Sequence, residues 1–188
     1  GYSRMMGNDE EGTLSTLKRL RRTVVAPQVA AYRGRIVKVM GDGAIVLFGS
    51  IIDAVNAAIA MQAAMERQET EADPDPIRMR IGLNLGDVIR DHGDIYGDGV
   101  NIAARLQEAC RPGGVALSAS AFEQVRGKVP EPFSDGGLKS FKNIALPVRV
   151  HHWPASPDDH GDEDAAAPKL PDKPSLAVLP FDNMSGDP

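Results

Sequence analysis

Two β-rich runs, RIVKVM at residues 35–40 and AIVLF at residues 44–48, are separated by Gly41-Asp42-Gly43. So short a link between apolar runs leaves one economical solution: the chain folds back on itself, with glycine supplying the positive φ of a tight hairpin turn. An acid is thereby held at the apex of a hairpin. Directly after it, Ile51, Ala54, Val55, Ala58, Ile59 and Met65 recur at the spacing of an amphipathic helix, and this stripe reads as core. Before it, Asp9-Glu10-Glu11 places acids in a first helical turn. Leu14, Leu17, Leu20 and Val24 then form an apolar stripe, with Lys18, Arg19, Arg21 and Arg22 on the solvent side. Pro27 should kink or interrupt this helix, and Gly34 should stop it.

Residues 69–76 are polar with two prolines and read as a loop. Residues 77–84 alternate as a strand, Val88-Ile89 extends or pairs with it, and residues 91–94 form a turn. Residues 100–110 predict a third helix that buries Ile102, Leu106, Ala109 and Cys110, ended by Pro112-Gly113-Gly114. A short strand at 115–117, a short helix at 119–125 and late strand material within 138–153, above all Val148-Arg149-Val150, complete the globular part. His151-His152, at the end of that strand, read as half-exposed strand residues and not as metal ligands. No internal repeat is visible.

With 188 residues, the chain suits one ordinary domain plus a tail. Its 42% hydrophobic and 25% charged content is enough for a core and argues against wholesale disorder. A net charge of −5 disfavours nucleic acid as a partner, because a polyanion would meet no general basic field. No apolar run approaches the roughly 18 residues of a membrane span, so no membrane partner is expected, and the single Cys110 reads as a small buried residue of a cytoplasmic protein. After Trp153 the composition turns to proline and acids. The organisation read from this is a globular domain over 1–153, a solvated linker over 154–174 that includes the acidic run 158–164, and, at 175–188, the start of a truncated following domain.

The polar residues that stand out fall at element ends: Lys38 and Asp42 on the hairpin, Asp94 before the third helix, and Asn101 and Arg105 on one face of that helix, four apart. Taken together, KVMGDGAIVLF and DIYGDGVNIAARL closely resemble the signatures of the class III adenylate/guanylate cyclase catalytic domain. GYSRMMGNDEEGTLSTL resembles the segment just after that family's first strand, which this chain lacks. The resemblance runs over residues 1–153 in the family's order.

It implies an α/β (α+β) fold with a ferredoxin-like, palm-like βαββαβ core, a mostly antiparallel sheet and helices on one face. It also implies conversion of ATP to 3',5'-cyclic AMP and pyrophosphate by attack of the ribose 3'-hydroxyl on the α-phosphate, with two Mg2+ or Mn2+ ions per site. By this resemblance Asp42 is one of two metal-binding aspartates; the other lies three positions before Gly1, outside this sequence, so the fragment as given should be impaired. Gly1, Tyr2 and Ser3 match the turn that cradles the triphosphate. Asn101 corresponds to the residue that orients the ribose, and Arg105 to the one that neutralises charge on the pentacoordinate phosphate. The family's late phosphate-binding lysine is matched nearest by Lys142, with Lys139 a rival.

Family members that select ATP pair a lysine toward adenine N1 with an aspartate toward the N6 amino group, positions matched by Lys38 and Asp94. Guanine would leave both unmatched, and unmet buried polar groups are costly. Because the family divides each site between two chains, a head-to-tail homodimer with two equivalent sites is implied, and a monomer should be inert. Two alternatives stay open: a catalytically silent nucleotide-binding and dimerisation module of the same fold, or a guanylate cyclase. A diguanylate cyclase is disfavoured, since the hairpin reads Gly41-Asp42-Gly43 and not Gly-Gly-Asp/Glu-Glu-Phe.

Overall fold

The side chain of Asp9 accepts a hydrogen bond from the Gly12 amide at 2.9 Å and so caps α1 (Glu10–Leu20), with Glu10 and Glu11 at its positive end. The computed structural model from which this is read describes Gly7 and residues 9–68, 77–91 and 94–156. Gly1, Tyr2, Ser3, the acidic run and the expected following domain lie outside the described residues.

Helical structure does not stop at Leu20 but passes through a π-helical segment, Arg21–Val25, into α2 (Ala26–Ala31). The wider turn shifts the inward face by one residue, which is why the adjacent Val24 and Val25 are both buried. Pro27 therefore does not end the helix. It stands at the start of α2, directly after the π-helical segment, whose last turn is closed by the Ala26 amide on the Arg21 carbonyl. The stop follows at Arg33, which adopts φ 58°, with its amide bonded to the Ala30 carbonyl and the Gly34 amide to that of Val29. The left-handed residue is thus Arg33 and not Gly34. What Gly34 supplies is room, since a Cβ there would lie 2.5 Å from the Phe48 ring.

The hairpin forms as expected. β1 (Arg35–Met40) and β2 (Gly43–Leu47) pair antiparallel with Met40 opposite Gly43, and the positive φ falls on Gly41 at 55°. Every residue of β2 is buried, so the strand has core on both sides. Val46, with Phe48 just beyond the strand, joins the main hydrophobic cluster, whereas Ile45 and Leu47 join a smaller one with Ile95 and Ala103.

The helix α3 (Ile51–Glu66) lays Ile51, Ala54, Val55, Ala58 and Met65 into the main cluster as its periodicity predicts, with Ile59 half-buried against it. There follow β3 (Ile81–Leu83), the hairpin β4 (Ile89–Asp91) and β5 (Asp94–Tyr96), α4 (Asp98–Ala109), β6 (Val115–Ser118), α5 (Ala119–Val125), β7 (Ser134–Lys139) and β8 (Val148–Trp153).

Four of these strands make a mixed sheet in the order β3-β6-β8-β7, parallel between β3 and β6 and antiparallel elsewhere. The parallel pair is joined through α4, which packs on both strands. Alternation along β3 and β6 sends Ile81, Leu83, Val115 and Leu117 into the main cluster beneath α3 and α5, and Ala116 toward Leu106 of α4 and Cys110 just beyond it. Helices therefore cover this sheet on both faces, a second layer beyond the one expected. At Gly82 the backbone of α4 lies so close that a Cβ would come within 2.2 Å of the Ala103 carbonyl.

The histidine expectation is corrected. His151 and His152 are buried, and the His151 ring stacks on Phe122 at 3.8 Å between centroids and 15° between planes. Burial lowers the His151 pKa below its usual value; Arg149 and His152 act in the same sense, while Asp135 and Glu123 oppose them. Cys110 is buried, as expected.

Candidate active site

The small cluster of Ile45, Leu47, Ile95 and Ala103, flanked by Val37, Met40, Val88 and Val100, draws β1, β2, β5 and the first turns of α4 together. These are the elements that carry Lys38, Asp42, Asp94, Asn101 and Arg105. Lys38 lies on β1 opposite Ile45 and is exposed. Asp42 is the second residue of the hairpin turn and keeps its Oδ1 out of solvent. Asp94 opens β5 opposite Asp91, and only its backbone position is described. Since β5 runs beside β1, Lys38 and Asp94 belong to neighbouring strands.

Asn101 is exposed on α4. Arg105, one turn further on, has its side chain 30% exposed, and its Nη1 donates to both carboxylate oxygens of Glu108 at 2.6 Å. An ion pair this open to solvent is worth about 0–1 kcal/mol, so a phosphate can take the guanidinium away at little cost. Lys142 is exposed in the turn between β7 and β8, where the Ile144 amide bonds to the Phe141 carbonyl at 3.2 Å and Asn143 has φ 64°. Phe141 packs on the cluster of Leu106, Cys110, Ala116 and Val150, which ties this turn to the sheet face covered by α4. Lys139, its rival, is exposed at the end of β7.

Sequence reading passed over three supporting residues. Glu108 could have been found, being three residues from Arg105 on the same helix. Asn84 is buried, and its Nδ2 donates to the Gly99 carbonyl at 3.2 Å, which pins the first turn of α4 to the end of β3. Arg21 reaches the hairpin turn, with its Nη2 donating to the Gly41 carbonyl at 3.0 Å. The last two contacts span 15 and 20 residues and carry no local signal.

A divalent cation fits the donor chemistry of the turn, because Asp42 offers a hard carboxylate oxygen at the bend of the hairpin. One such ligand does not make a cage: among the described residues no group of three or more His, Cys, Asp or Glu side chains could hold a metal. No helix among the described residues is long and apolar enough to cross a membrane.

The profile of the adenylate and guanylate cyclase catalytic domain matches residues 13–134, and the chain belongs to that family. It is 46% identical to "Putative adenylate cyclase 3" of Rhizobium meliloti (strain 1021), in an alignment covering 100% of this chain and 33% of that protein. An adenylate cyclase of Streptomyces coelicolor is 29% identical over 66% of this chain and 32% of its own length. The chain thus spans about a third of the length of these curated relatives. Among solved structures, an adenylate/guanylate cyclase/hydrolase from Silicibacter pomeroyi superposes with a TM-score of 0.74 at 40% identity, covering 81% of this chain and 89% of that one. The adenylyl cyclase CyaB from P. aeruginosa shares the fold, with a TM-score of 0.70 at 22% identity over 86% of this chain and 92% of its own.

Proposed function

We propose that this domain is an adenylate cyclase, converting ATP to 3',5'-cyclic AMP and pyrophosphate at sites completed between two copies of the chain. The observation that carries the reading is that one chain bears both sets of residues on elements joined by one small apolar cluster; in each site Asp42 would come from one copy and Lys38, Asp94, Asn101 and Arg105 from the other. In this reading Lys38 donates to adenine N1 and Asp94 accepts from the N6 amino group, and both contacts would be frustrated by guanine. Asn101 orients the ribose so that the 3'-hydroxyl faces the α-phosphate, a contribution of positioning. Arg105 leaves Glu108 and places its forked donors against the charge that builds on the phosphate as the new bond forms and pyrophosphate departs. Lys142 steadies the polyphosphate, with Lys139 second in line, and Gly1, Tyr2 and Ser3 supply amides to it. Asp42 would hold Mg2+ or Mn2+, which when bound supplies charge neutralisation at the attacking and leaving oxygens.

The test is cyclic AMP formation by the full-length protein from ATP and Mg2+ or Mn2+, with Asp42→Ala as control. Product no greater than in the control rejects the reading, and ATP binding without turnover selects the silent nucleotide-binding module instead. GTP turned over as well as ATP removes the roles given to Lys38 and Asp94. Division of the site between chains has its own test: mixing Asp42→Ala with Arg105→Ala should restore activity through one intact hybrid site. No recovery in dimers shown to be mixed overturns it.

A further inference from the structure

The contact between Arg21 and the hairpin turn belongs to none of the roles above. Arg21 opens the π-helical segment, whose Val24 and Val25 are both buried, so the backbone that carries its side chain is fixed against the core. The carbonyl it grips is that of Gly41, part of the peptide unit that enters Asp42. That unit is the softest point of the turn. Gly41 sits at φ 55° and is free of the Cβ that would hold another residue in one basin, and the orientation of its peptide plane sets where the Asp42 side chain leaves the backbone. A hairpin carbonyl at an exposed turn is ordinarily satisfied by water. Here a charged donor is brought to it from 20 residues away.

We infer that Arg21 is a positioning residue for Asp42: by clamping the Gly41–Asp42 peptide it presents the carboxylate in the orientation that binds a divalent cation. The inference rests on the reading of Asp42 as a metal ligand. It acts through the backbone, as a group one shell removed from a ligand does, and removing such groups typically weakens metal affinity about 10–100-fold.

The experiment uses the full-length protein with Arg21→Gln and Arg21→Lys, and three measurements: amide hydrogen exchange at residues 41–43 without metal, Mn2+ binding by electron paramagnetic resonance without nucleotide, and the Mg2+ concentration giving half-maximal turnover. Arg21→Gln should speed exchange at the turn alone. It should also weaken Mn2+ binding and raise the Mg2+ requirement about tenfold or more, with KM for ATP and melting temperature little changed. Arg21→Lys, which keeps a donor of similar reach, should recover most of each effect. Faster exchange at the turn with unaltered Mn2+ binding and Mg2+ requirement reduces Arg21 to a structural contact and overturns the inference, as does a turn whose exchange is unchanged. Asp42→Asn is the separating control: if it binds Mn2+ as the unsubstituted protein does, the reading of Asp42 has failed, whatever Arg21 does to the turn.

Discussion

The two sides of β2 face different kinds of interior. On one side Val46 and Phe48 enter a cluster of 21 buried residues drawn from α1 to α3, α5 and the mixed sheet. On the other, Ile45 and Leu47 meet only Ile95 and Ala103 as buried companions, and around that cluster Val39, Ile89 and Tyr96 remain exposed. Ile89 and Tyr96 are direct cross-strand partners, 67% and 53% exposed, so this apolar pair is not covered by the described residues. Lys38, Asp42, Asp94, Asn101 and Arg105 are carried by elements of the thin side, whereas Lys142 lies on the turn packed against Leu106 and Val150. The proposed residues stand at the edges of elements that are anchored elsewhere, β2 through Val46 in the large cluster and α4 through Leu106 against the sheet, so the thin side itself adds little to stability.

That contrast is open to direct attack. Met61, fully buried in the thick core, should cost about 2–5 kcal/mol when changed to alanine, whereas Val39→Ser on the thin side should cost under about 0.5 kcal/mol; urea unfolding of both gives the answer, and equal costs would erase the distinction. Arg105→Ala should lower turnover about 10²–10³-fold with the melting temperature unchanged, and a loss of folding instead would put Arg105 among the structural residues. Gly82→Ala tests the join between the two regions. Its Cβ must push α4 off β3, so a stability loss of about 1–3 kcal/mol should be accompanied by a fall in turnover, since α4 bears Asn101 and Arg105. Glu108→Gln should move stability by less than about 1 kcal/mol, with activity retained or raised as Arg105 is released.

The smallest effect concerns pH. His151 binds a proton less readily folded than unfolded, so its contribution is fully present above the ordinary value of 6.5 and diminishes as the pH falls below it. His151→Gln should flatten the decline in melting temperature between about pH 7 and 5, and an unchanged slope would assign that decline to other groups.

The hairpin and α3 were readable because their signals are local: a two-residue turn between β-rich runs, and a stripe repeating within one helix. Asn101 and Arg105 were readable for the same reason, since four residues of helix bring them to one face. β7 (Ser134–Lys139) begins before the strand material expected from residue 138, and runs through Gly136 and Gly137. In the fold they form an irregularity between Asp135 and Leu138 that keeps the strand paired to β8 and makes room for the His152 ring, with a Cβ on Gly136 falling 2.6 Å from it. The π-helical segment was not foreseen either, since nothing in Arg21–Val25 distinguishes it locally from α-helix.

Residue order alone was sufficient for the family, for the acid at the hairpin apex and for the face of α3, because turn chemistry and helical period act over a few neighbours; on α4 it found Leu106 but missed Ala103 and Gln107, which are buried while the expected Ile102 and Ala109 are only half-buried. The burial of His151 and His152, the grip of Arg21 on Gly41, the tether from Asn84 to Gly99 and the seating of α4 on Gly82 were settled only when distant segments packed. Such contacts depend on which backbone lies within a few ångströms of which, and chain connectivity encodes that only through the whole fold.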